Sequence, residues 1–126
     1  MSYDNLTKVS AEHSEWLNGL DFYRQDIVLL EKRLLELASR NGDFDMSRGM
    51  EHFQNQFLIQ RNTIDELRHS IREHVSNFGR MVAAEDASKE IPHQHMHESL
   101  KDGYLSFEKV MNELRHEFNE FLAKWR

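Results

Sequence analysis

The chain has 126 residues, no cysteine, and 22 acidic against 16 basic side chains, for a formal charge of −6. That length supports one domain with a core of its own, and the missing cysteines exclude disulfides, thiolate metal sites and cysteine nucleophiles. Acids and bases are interspersed along the chain, which offers neither the basic face that nucleic acid requires nor a footing on anionic lipid.

No apolar run approaches the roughly 20 residues of a membrane span. The opening MSYDNLTKVS has no basic n-region and no apolar h-region, so it reads as cytoplasmic and not as a secretory leader. One proline and five glycines in so polar a chain point to a few long helices joined by short turns.

From Leu6 to Leu37 the residues Leu6, Val9, His13, Trp16, Leu20, Tyr23, Ile27, Leu30, Leu34 and Leu37 recur at alternating spacings of three and four. That is the seam of an amphipathic helix written in heptads, expected over about 5–39. Asp4 and Asn5 have the short polar side chains of a helix start, and Asn41-Gly42 those of a stop.

A second seam follows over about 46–86, through Met46, Met50, Phe53, Phe57, Gln60, Ile64, Leu67, Ile71, His74, Phe78 and Met81. Ser88 to Pro92 reads as the next turn, with Pro92 suited to the first position of a helix. The third seam, over about 92–125, is His97, Leu100, Tyr104, Phe107, Met111, Leu114, Phe118, Phe121 and Trp125.

Three long helices with short connections must alternate in direction. The expected fold is all-α, an antiparallel up-down-up three-helix bundle occupying residues 1–126 as one domain. Folding the seams back about turns near residues 43 and 90 gives common layers such as Trp16/Ile71/Phe107, Tyr23/Ile64/Leu114 and Leu34/Phe53/Trp125. The heptads, with Glu15-Trp16-Leu17 early in the first helix, resemble a spectrin-type repeat. The resemblance implies an architecture and no activity.

The polar seam positions are the candidate chemistry. On the expected register His13, His74 and Tyr104 share a level, and a hydrogen-bonded layer that fixes register is the preferred account of them. The competing account is a metal or proton-transfer site, since imidazoles can converge on a cation. At the start of the third helix His93 and His97 are four apart and share a face, with Asp86 level with His93 across the turn, a possible chelate.

The repeated Glu-Leu-Arg-His of Glu66 to His69 and Glu113 to His116 looks like the paired Glu-x-x-His of ferritin-like di-iron proteins. The heptads reject it, because Leu67 and Leu114 hold the seams and turn the four ligand types to solvent. No glycine-rich phosphate loop is present, and no serine or threonine accompanies a seam histidine as a nucleophile.

The outer side of the first helix carries Phe22, Val28, Leu29 and Leu35, with Leu58 and Ile59 of the second at the same level. An apolar patch of that kind points to a partner. The sequence is therefore read as a non-catalytic interaction or structural module without a cofactor. It would form a homodimer, or bind another helical protein, through the outer face of the first helix. The alternative is a metal-binding protein or metalloenzyme, using either His13 and His74 with Tyr104 or the His93/His97 pair with Asp86 at the start of the third helix.

Overall fold

The computed structural model describes residues 3–40 and 42–125. It contains three helices: α1 (Tyr3–Ala38), α2 (Phe44–Ala84) and α3 (Glu90–Trp125), with one turn of 3-10 helix at Ala87–Lys89 between the last two. No strand occurs among the described residues, and each helix packs on the other two. The fold is an all-α three-helix bundle.

The heptad seams are what the bundle buries. Leu20, Ile27, Phe57, Ile64, Ile71, Met111 and Phe118 have no solvent exposure, and each such side chain contributes about 1.5–3 kcal/mol by leaving water. Phe53, Phe57, Phe118 and Phe121 stack at one end, with Phe53 5.1 Å from both Phe118 and Phe121. Ion pairs between helices run along the rim: Arg24–Asp65 at 2.9 Å, and Arg68–Asp21 and Arg115–Asp26.

The turns decide how the seams meet. Asp43 caps α2 by accepting the Met46 amide at 3.0 Å. At the other end Glu85 takes a left-handed backbone, φ 52° and ψ 39°, and its amide and that of Asp86 return to the Val82 and Met81 carbonyls. This is the glycine-type helix stop built with a residue that has a side chain. Asp86 then caps the 3-10 turn through the Ser88 amide at 3.1 Å and hydroxyl at 2.6 Å. Pro92 falls within the first turn of α3, where its missing N–H leaves no bond unmade.

The chain thus reverses around 85–89 rather than near residue 90, and α3 lies one heptad from the level expected for it. Tyr23 meets the Phe107 ring at 5.5 Å, not Leu114. Trp16 meets His97 at 4.7 Å, not Phe107. Phe53 meets Phe118 and Phe121, not Trp125. A slide of seven residues returns every seam position to a seam position, so apolar matching alone does not detect it.

Tyr104 illustrates the true register. Its hydroxyl lies against Gly19 of α1, where an added Cβ would stand 1.7 Å from the phenolic oxygen. Glycine inside a helix costs about 1 kcal/mol relative to alanine, but here it makes room for the ring. Gly19→Ala should therefore destabilise the protein by about 1–3 kcal/mol, the usual cost of overpacking, and Tyr104→Phe should recover part of the loss. Denaturant melts of the two single variants and the double variant check this; a Gly19→Ala protein as stable as the parent would contradict the packing described.

Candidate metal centre

Four of the chain's eight histidines are buried, and the four are together. His13 comes from α1, His74 from α2, and His93 and His97 from the first two turns of α3, with exposures of 4, 4, 8 and 4%. His93 and His97 share a face of α3 because they are four residues apart. The one-heptad shift of α3 places that face opposite His13 and His74. His52, His69, His95 and His116 are exposed.

The rings are tightly assembled. His13 stands edge-on to His74 at 5.0 Å between centroids and lies 5.2 Å from His97. His74 stacks on His93 at 4.2 Å with 10° between planes. Nε2 of His74 and Nδ1 of His97 are 3.2 Å apart, sharing one proton as a hydrogen bond. One nitrogen from each of the four rings lies within 4.8 Å of the others. Trp16 and Phe78 wall the group, Trp16 against His13 and His97, and Phe78 against His13 and His93.

Hydrogen bonding leaves this layer incomplete. Nε2 of His13 and both ring nitrogens of His93 are buried and without a partner. A neutral imidazole always carries one N–H donor and one acceptor, so His93 buries both unsatisfied, at a cost of about 1–3 kcal/mol for each group. Burial, reinforced by the neighbouring imidazoles, pulls His13 down to about 4 and His74 to about 3, and lowers His93 as well. These rings are therefore neutral near pH 7, the form with a lone pair to give to a metal.

His97 is held from outside. Its Nε2 faces Glu12 Oε1 at 3.4 Å, and Glu12 in turn pairs with Lys101 at 3.1 Å. Burial alone would raise the Glu12 carboxyl, but the hydrogen bonds from Lys101 and His97 outweigh it and hold it below its usual value. A carboxylate on the far nitrogen of a histidine fixes the tautomer that leaves the other nitrogen free to ligate.

Imidazole ligands at zinc bond at about 2.0–2.1 Å, which in a tetrahedron spaces them by about 3.3 Å. The His74–His97 pair already has that separation. Asp86 is not part of the group: its carboxylate is spent on Ser88. Tyr104 is absent from it too, and its hydroxyl faces Glu108 at 3.4 Å instead. Glu66, His69, Glu113 and His116 are exposed, with the two histidines paired to Glu73 and Glu120 on their own helices.

The two histidine pairs that the sequence offers separately are thus one site, and the signal that joins them is Asp86-Ala87-Ser88, a cap sequence that moves the turn forward. In comparisons with protein-family models, curated proteins and solved structures, nothing matches the chain. The chemistry of the four rings is what the functional reading rests on.

The neutral histidines fix how the metal-free protein responds to acid. Unfolded, they take up protons below about pH 6.5; folded, His13 and His74 resist down to about 4 and 3. The unfolded state then binds more protons, so stability falls as pH drops from about 6.5, by about 1.4 kcal/mol per pH unit for each such histidine. In the presence of chelator, the melting temperature should be level above pH 7 and decline steadily from pH 6 to 5. A His13→Leu, His74→Leu variant should flatten that decline; a parent protein with the same melting temperature at pH 7.5 and 5 would contradict it.

Proposed function

We propose that this protein binds a divalent transition-metal ion through His13, His74, His93 and His97. The observation that carries the reading is His93, buried with both ring nitrogens unpartnered among three other buried imidazoles. A layer serving only to fix register would be expected to close its hydrogen bonds. A metal ion converts the orphaned nitrogens into ligands. An all-imidazole set suits zinc, copper, nickel or iron, and with no thiolate or inward carboxylate it disfavours calcium and magnesium.

The test is metal analysis of the protein purified without an affinity tag, followed by titration of the stripped protein with Zn(II), Cu(II) and Ni(II). One ion per chain should bind and raise the melting temperature. His93→Leu should weaken binding by about a hundredfold or more, since it removes a direct ligand where loss of an outer partner already costs 10–100-fold. In the stripped state the same change should stabilise the fold by about 1 kcal/mol or more, because it deletes unsatisfied polar groups. No stoichiometric ion and no shift in melting would end the reading.

A second reading concerns association. Phe22, Val28, Leu29 and Leu35 of α1 are 46–66% exposed, and Leu58 and Ile59 of α2 are 48 and 50% exposed. On α1 they form two pairs one heptad apart, Phe22/Leu29 and Val28/Leu35, separated by about 120° around the helix at 3.6 residues per turn. Either stripe supports pairing of two copies through the outside of α1. Sedimentation at tens of micromolar tests it: the parent should run as a dimer and a Phe22→Glu, Leu29→Glu variant as a folded monomer. A monomeric parent would remove the idea.

A further inference from the structure

Beside the histidines, between the end of α2 and the start of α3, lies a cleft of about 610 Å³. His74 and His93 form its inner wall, Met81 and Met96 its apolar lining, and Arg80 and Lys89 stand with Asp86 among the residues around it. We propose that a metal held by the four histidines takes a small anion as a further ligand from this cleft. The inference rests on the metal-binding reading and adds the class of ligand the site accepts.

Four neutral imidazoles around a divalent ion leave a charge of about +2 in a largely buried site packed against Trp16 and Phe78, and an unbalanced buried charge is costly. Glu12 does not neutralise it, because it faces the outer nitrogen of His97 and is already paired with Lys101. Asp86 lines the cleft as well, but its carboxylate is turned to the Ser88 amide and hydroxyl and interacts with Lys89. A further negative ligand would come from solvent through the cleft.

His93 is 8% exposed, has no hydrogen-bond partner on either nitrogen, and forms part of the cleft wall, so the cleft reaches a ligand nitrogen directly. Arg80 bonds only the Asn77 side chain, which leaves its charge available, and Lys89, near Asp86, also lines the cleft. The chain as a whole carries −6, so attraction of an anion is local, over distances shorter than a Debye length. Met81, Ala84 and Met96 make much of the lining apolar, which leaves few polar groups to hold a large ligand. The step is simple coordination: the anion donates a lone pair, and no bond of the protein is broken.

Azide is the probe, added to the full chain loaded with Co(II) or Cu(II). It should produce a saturable charge-transfer band, and chloride should compete. At full metal occupancy, Arg80→Glu with Lys89→Glu should weaken azide binding by about tenfold or more, the effect of reversing two charges near the path. Circular dichroism confirms that the variant keeps its helices, and Arg80→Gln with Lys89→Gln should shift affinity in the same direction by less. A loaded protein whose spectrum ignores azide overturns the anion site and leaves metal binding standing. Azide binding that is indifferent to both rim variants overturns the cleft as its route. Failure to load any metal overturns both.

Discussion

Heptad packing settles which face of each helix is buried, yet it says little about how far each helix is slid along its neighbours. In this bundle that freedom is removed by the five residues between α2 and α3. Glu85 in a left-handed conformation ends α2, Asp86 caps a single 3-10 turn, and α3 begins at once. A left-handed residue with a side chain is held about 1 kcal/mol or more above its preferred state, so the surrounding bonds must fix it. The two amides returned to Met81 and Val82 do that. Every layer between α3 and the other helices follows from this stop, and so does the meeting of His93 and His97 with His13 and His74.

The resulting core has two unlike ends. One is phenylalanine packed on phenylalanine, dry and saturated with contacts. The other is imidazole packed on imidazole with several nitrogens unanswered. Neutral rings in that surrounding are tolerated because the aromatic faces of Trp16 and Phe78 and the stacking of His74 on His93 replace part of the lost hydration with dispersion. The unanswered donors and acceptors are a local defect in an otherwise consistent fold, and defects of that kind concentrate where a protein interacts with something else.

Much of the architecture was legible beforehand. Three strict seams, a single proline and the polar breaks define three antiparallel helices, and the observed bounds differ from those expected by two residues or so at each end. The rejection of the repeated Glu-Leu-Arg-His as a ligand set also followed from the seams, since Leu114 is buried while Glu113 and His116 are exposed. What the pattern did not reveal was the level of α3, because a heptad repeat maps onto itself after seven residues. Placing the turn near residue 90 paired His74 with Tyr104; placing it at Asp86-Ala87-Ser88 pairs His74 with His97. The partition of four histidines into two weak candidates was a consequence of that one register error.

His13 and His74 enclose most of α1, the first turn and most of α2, while His93 and His97 bring in the beginning of α3. In a chain with no cysteine, an ion shared by these rings would be a removable cross-link that closes long loops of the polypeptide, lowering the entropy of the unfolded chain as well as strengthening the native one. The bundle would then have a permanent hinge pin of phenylalanine at one end and a clasp at the other, and the rigidity of the histidine end would depend on what the surrounding solution supplies.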